Sequence, residues 1–256
     1  MRSWDDLGKR RRAWVIAPRG HSARFPENTL AAFEGAVAAG ADAIELDVRL
    51  TADDAAVVIH DATLDRTTSG QGRVRAHHAA RITALDAGSW FARAFASEHV
   101  PTLDQVVDRF AGRVALDLEL KVDEGGADAA RLAAVVAARI GRGGPATGTL
   151  LSSFCPAVLE AARMRLPDTP RVLLVEGTLE PAAIFSTARQ LDAVGVGLDA
   201  EMLEASLLDA FHDAGFPVLL FTVDRKTEMQ AWIRAGVDGI FSNRPARLRR
   251  VVEGAT

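Results

Sequence analysis

A rhythm constrains this chain more than any other feature. Short runs of Val, Ile and Leu return along its whole length, separated by Ala-rich stretches of helical character. The runs that read as strands are Ala13–Ala17, Ala43–Val48, Val57–Ile59, Val114–Leu120, Thr149–Ser152, Val172–Val175, Ala193–Leu198, Pro217–Thr222 and Gly239–Ser242. Helix patterns fall between most of them, at Thr29–Ala39, Leu103–Phe110, Ala127–Arg139, Ala157–Met164, Pro181–Gln190, Glu204–Ala214 and Thr227–Ala235. Gly40, Gly112, Gly215 and Gly236 sit at helix-to-strand turns, where a helix end calls for positive φ. Such alternation builds βαβ units and a parallel sheet.

Nine strands are one too many for a closed eight-stranded barrel, and chain length identifies the extra one. Eight residues separate Val48 from Val57, whereas a parallel crossover takes roughly a dozen or more. Val57–Ile59 therefore opens an insertion after the second strand, expected to span about residues 49–102 and to carry Gly70 and Gly72. Eight strands remain, the number a (β/α)8 TIM barrel requires. The 256 residues suit one such α/β domain, with no internal repeat or second-domain boundary.

A net charge of −4 gives no electrostatic case for nucleic acid or an anionic membrane as partner. The basic run Lys9–Arg12 is too short for a binding patch and reads as a solvated leader. Cys155 is the sole cysteine and cannot form an internal disulfide, which fits a reducing compartment. No apolar stretch is long enough to span a bilayer, and residues 13–17 are too short for a signal-peptide core. The expected location is the cytoplasm.

In such a barrel the site lies at the C-terminal ends of the strands. Glu45 and Asp47 alternate with Ile44, Leu46 and Val48, so both carboxylates share the inward face of one strand, about 6.6 Å apart along the chain. The pattern returns in Asp117-Leu118-Glu119-Leu120-Lys121, which brings Glu119 and Lys121 toward the first pair from the adjacent barrel strand. Three converging carboxylates suit a hard divalent cation. A salt-bridge network, with Lys121 and Arg19 neutralising the acids, accounts equally for the spacing. His60-Asp61 places an imidazole at a strand end, as a proton carrier or as a structural histidine. Arg19-Gly20 follows the first strand, where an arginine fork can meet phosphate oxygens or simply lie at a surface turn. Pro26-Glu27-Asn28-Thr29 reads as the start of the first helix, with Asn28 or Thr29 as N-cap.

Together these segments resemble the glycerophosphodiester phosphodiesterase family. Arg19-Gly20, Pro26-Glu27-Asn28-Thr29-Leu30, Glu45-Leu46-Asp47-Val48 and Val58-Ile59-His60-Asp61 are similar to its leading motifs. Leu64-Asp65-Arg66-Thr67-Thr68, Pro101-Thr102-Leu103, Leu118-Glu119-Leu120-Lys121, Ser152-Ser153-Phe154, Phe221-Thr222-Val223-Asp224 and Asp238 through Pro245 continue in the same order. The resemblance implies a TIM barrel with an insertion after the second strand. It implies a hydrolase using Ca²⁺ or Mg²⁺ and acting on a small-molecule glycerophosphodiester, such as glycerophosphocholine or glycerophosphoethanolamine. The products would be glycerol 3-phosphate and an alcohol. By similarity, Glu45, Asp47 and Glu119 hold the metal, Arg19 and Lys121 bind the phosphate, and His60, with Lys121, is catalytic. The nucleophile would be the substrate's own glycerol hydroxyl, giving a cyclic phosphate that water then opens.

Two positions depart from the pattern. The family's first motif reads His-Arg-Gly, and here it reads Pro18-Arg19-Gly20; the family's Asp is Asn243. Proline carries no proton, and loss of a positioned acid or base costs roughly 10²–10⁴ in rate. Three explanations stay open: a homologue that binds a phosphodiester or phosphate without efficient turnover, His21 reaching into the gap, or a leaving group acidic enough to need one histidine only.

Overall fold

The computed structural model describes residues 3–9, 12–123, 126–141, 148–177, 180–201 and 203–255. Eight strands run parallel and close on themselves: β1 (Trp14–Pro18), β2 (Ala43–Leu50), β4 (Ala115–Leu120), β5 (Thr149–Ser153), β6 (Arg171–Val175), β7 (Gly195–Asp199), β8 (Val218–Phe221) and β9 (Gly239–Phe241), with β9 pairing back onto β1. The expected (β/α)8 barrel is therefore present. The run at Val57–Ile59 forms β3 (Ala56–Val58), which pairs antiparallel with the end of β2, Val48 opposite Val58. Its short link to β2 allows only that direction.

Alternation along the strands sets the two cores. Ile44, Leu46 and Val48 of β2 are fully buried against the helices, with Phe33 and Phe110 in the same cluster. The alternate residues point into the barrel, where Trp14, Ile16, Ala43, Ala115, Leu150 and Leu219 fill the lower layers. Those layers leave the upper rung of β2 and β4 to polar side chains, as the period of two requires.

Residues before β1 do more than precede it. Trp4 is 1% exposed, stacks on Trp14 with ring centroids 4.4 Å apart, and donates its indole N–H to the Leu116 carbonyl at 3.0 Å. It closes the end of the barrel opposite the site. Of the basic run, Lys9 is exposed, while Arg10 and Arg11 lie outside the described residues.

The outer helices follow the sequence pattern: α1 (Leu30–Ala38), α3 (Leu103–Phe110), α4 (Ala129–Ile140), α5 (Pro156–Arg163), α6 (Pro181–Gln190), α7 (Ala205–Asp213) and α8 (Lys226–Ala235). Thr29 caps α1 by accepting from the Ala32 N–H at 3.2 Å, and Thr102 with Gln105 forms a capping box on α3. A one-turn α2 (Ala79–Ile82) lies in the insertion, and α9 (Pro245–Gly254) follows β9. Neither is evident from periodicity. The insertion packs a small core of its own, including Ile59, Leu64, Val74 and Ile82. Among the described residues, no helix is long and apolar enough to cross a membrane.

Candidate active site

Strand register assembles the site. Glu45 pairs with Asp117, Asp47 pairs with Glu119, and Pro18 pairs with Glu45 across the β1–β2 ladder. One ligand oxygen from each of Glu45, Asp47 and Glu119 lies within 4.8 Å of the other two, and all three side chains are buried. Among the described residues, Glu45 Oε1 has no hydrogen-bond partner, and Asp47 Oδ1 and Glu119 Oε1 have only the Lys121 ammonium beside them. Lys121 Nζ is 3.3 Å from Asp47 Oδ1 and also pairs closely with Glu119. Thus the three acids converge as their spacing predicts, and Lys121 arrives with them.

The loop after β1 is shaped around the same acids. Arg19 takes a left-handed backbone conformation (φ 54°), and its own N–H donates to Glu45 Oε2 at 2.9 Å. A non-glycine residue in that region stores strain, which the surrounding contacts must offset. Gly20 follows at φ 84°, so tightly against α1 that a Cβ would meet the Ala32 carbonyl carbon at 2.5 Å. The Arg19 guanidinium lies 3.4 Å from Asp47 Oδ2 and 3.2 Å from Glu27 Oε1.

The segment before α1 is more than a helix start, which corrects the structural reading of Glu27 and Asn28. Thr29 is the N-cap. Asn28, also left-handed (φ 58°), donates its amide to Asp47 Oδ2 at 2.7 Å, and Glu27 holds both Arg19 and Arg66. The missed signal was the Asn itself, one of the few residues that tolerates that conformation while offering a side-chain donor.

Burial and repulsion set the charge state of the cluster. Burial pushes Glu45 well above the ordinary carboxylate range, and the charges of Asp47 and Glu119 add to it. Burial and Asp47 likewise raise Glu119 to about 7. Asp47 goes the other way: burial opposes its charge, but Lys121 and Arg19 outweigh that and hold it low. One layer down, burial lifts Asp117 to about 8, although Ser152 Oγ donates to it at 2.6 Å. Two cations facing three clustered carboxylates leave a deficit of positive charge, which a hard divalent cation with oxygen ligands would make good.

His60 follows β3 and turns toward the same cleft. Its Nδ1 lies 2.7 Å from Asp61 Oδ1, and Arg66 holds both Asp61 oxygens, at 2.7 and 2.9 Å. Those bonds, the one from Arg66 first, hold Asp61 well below the usual carboxylate range. An ionised Asp61 fixes the proton on Nδ1 and leaves Nε2 as the free base. Burial lowers the pKa of His60, with Lys121 and Arg19 acting in the same direction against Asp47. Pro18, Arg19, Glu45, His60, Glu119 and Lys121 line a cleft of about 430 Å³ together with Phe154, Leu174, Glu176, Phe221, Thr222 and Phe241, and the Lys121 ammonium lies 5.4 Å from the Phe154 ring centroid.

The model of the Glycerophosphoryl diester phosphodiesterase family matches residues 19–247. The chain belongs to this family. Its members are phosphoric diester hydrolases. A glycerophosphodiester phosphodiesterase of Caldanaerobacter subterraneus subsp. tengcongensis is 36% identical over 93% of this chain and 97% of its own length. One from Bacillus subtilis is 31% identical over 95% of this chain and 87% of its own. Among solved structures, an Oleispira antarctica phosphodiesterase superimposes with a TM-score of 0.89 at 30% identity, covering 94% of this chain and 97% of the other.

Against the glycerophosphodiester phosphodiesterase pattern, the two departures have different consequences. Pro18 lines the cleft beside Glu45, where it offers no proton. His21 does not fill the gap. It is 8% exposed, packs against Phe25 with ring centroids 5.8 Å apart and lies outside the cleft lining. Asn243 keeps a structural role, donating to Asp224 Oδ2 at 2.8 Å and accepting from Ser22 Oγ at 2.6 Å, which ties the end of β9 to the loop carrying Arg19.

Proposed function

We propose that this chain hydrolyses glycerophosphodiesters to glycerol 3-phosphate and an alcohol, using Ca²⁺ or Mg²⁺ held by Glu45, Asp47 and Glu119. The observation that carries the reading is the trio of buried carboxylates, within 4.8 Å of one another, two of which, Glu45 and Glu119, line the cleft that also takes His60, Arg19 and Lys121. The orphaned Glu45 oxygen and the all-oxygen donor set fit a hard cation. When bound, the cation would supply positive charge to the phosphoryl oxygens as negative charge builds there. The solved Oleispira phosphodiesterase is a complex with its product, sn-glycerol-3-phosphate, which supports this substrate class.

The chain's own groups then have distinct tasks. Arg19 and Lys121 would meet the phosphate oxygens beside the carboxylates, and both keep their charge: burial disfavours it, but Asp47 together with the neighbouring glutamates more than restores it. His60 Nε2 takes the proton of the glycerol hydroxyl, and Asp61 holds the ring for that transfer. In the family scheme the hydroxyl attacks phosphorus, and the P–O bond to the alcohol breaks as the cyclic phosphate forms. The departing alkoxide, with no histidine at Pro18, takes its proton from water, and a water molecule then opens the ring.

Pro18 favours a second reading, a homologue that binds the diester without efficient turnover. A single assay separates the two. Purified protein with glycerophosphocholine and Ca²⁺ or Mg²⁺ is followed for glycerol 3-phosphate beside its His60→Ala variant. Turnover lost in the variant supports the diesterase. Binding without turnover in the parent supports the second reading, and neither binding nor turnover contradicts both.

A further inference from the structure

With the proposed divalent cation bound, the cleft would have two poles of opposite sign. Arg19 and Lys121, with the carboxylate cluster, lie on the β1, β2 and β4 side. Glu176 follows the last residue of β6, and in the ring order β1-β2-β4-β5-β6-β7-β8-β9 the sixth strand of the sequence stands opposite β1. Glu176 therefore faces Arg19 across the barrel mouth. Among the described residues it has no hydrogen bond or ion pair, although it lines the cleft. The wall leading to it is aromatic: Phe221 meets Phe154 edge-on at 5.6 Å and Phe241 at 6.3 Å, with Leu174 alongside.

A carboxylate with no partner among the described residues, beyond a phenylalanine wall, is the complement of an organic cation. The Lys121 ammonium already lies over the Phe154 ring at 5.4 Å, so Phe221 and Phe241 are the rings that would meet a ligand cation, and the carboxylate supplies the opposite charge. A phosphate seated at the cationic pole would place its alcohol substituent along that wall toward Glu176. We infer that Glu176 is a specificity-determining residue of this cleft, selecting diesters whose alcohol is a cationic amino alcohol over diesters of a neutral polyol. The inference rests on the diesterase reading above.

The test compares glycerophosphocholine with glycerophosphoglycerol, reading the ratio of their kcat/KM values in the Ca²⁺-loaded protein. The same ratio is read from Kd in the His60→Ala background, so that slow turnover does not hide it. The parent favours the choline diester, and Glu176→Gln lowers the ratio about fivefold, the scale of one partly exposed charge contact with an aromatic contribution. Glu176→Lys drives it below one. Glu176 is exposed, so neither variant should disturb folding. A parent ratio of one, or equal losses on both substrates in Glu176→Gln, overturns the inference while leaving the diesterase intact. Failure to bind either diester with metal present removes the diesterase reading, and the inference falls with it.

Discussion

Pro18 is the residue paired with Glu45 across the β1–β2 ladder, so a ring without a proton borders the carboxylate cluster at the point where the family places a histidine. Everything else in the cluster is intact. Pro18→His should therefore raise kcat for glycerophosphocholine by about 10² or more, the worth of a positioned acid or base. His60→Ala abolishes the gain. An unchanged kcat in Pro18→His would mean that the missing proton carrier does not limit this protein.

Lys121 is the ammonium nearest two of the three acids, at 3.3 Å from Asp47 and closer to Glu119. Lys121→Met leaves buried carboxylates uncompensated, at a cost of roughly 3 kcal/mol in the metal-free protein. Added Ca²⁺ should recover part of that loss by binding the folded state. Urea denaturation with and without the cation measures both, and a loss that Ca²⁺ does not reduce would count against a metal at this position.

Stability should fall as pH rises through neutrality when metal is absent. Asp117 at about 8 and Glu119 at about 7 stay protonated in the folded chain, while unfolded carboxylates ionise near ~4. Between those limits the folded state holds the extra protons, so the slope of stability against pH is negative there. Glu34, lowered to about 2 mainly by Arg113, and Asp61 act oppositely, contributing stability that is lost only as pH falls through their depressed values. Chelated protein should therefore melt higher at about pH 5 than at about pH 8, and Ca²⁺ should narrow the difference. A melting temperature that climbs over that interval would contradict the charge states described.

Much of this was legible from sequence because alternation is a strong signal. The nine strands lie where their apolar runs place them, and the short link from Val48 to Val57 identified the strand outside the barrel. Glu45, Asp47, Glu119 and Lys121 converge because a period of two and barrel register leave little freedom. What escaped depends on side chains that do not repeat. Trp4 closes the barrel floor through one stacking contact and one hydrogen bond. Asn28 reaches Asp47, and Glu27 reaches Arg19, from a turn where no periodicity points inward. Helix α9 went unread because its buried Leu248, Val251 and Val252 are diluted by arginines.

Asp61 should act only through the orientation of His60. Asp61→Asn keeps an oxygen near Nδ1 but loosens the Arg66 clamp, and misplacing a reacting group by about 1 Å can cost 10²-fold in rate. The expected signature is a fall in kcat with KM little changed, and a shifted pH profile on the His60 limb. A change confined to KM would mean that Asp61 serves substrate binding.

The central claim is that Glu45, Asp47 and Glu119 form a cation site, and calorimetric titration of Ca²⁺ into metal-free protein tests it most directly. Ca²⁺ should fill one site per chain, lost in Glu45→Gln, Asp47→Asn and Glu119→Gln alike. No binding by the parent protein, or binding that survives all three substitutions, would contradict it.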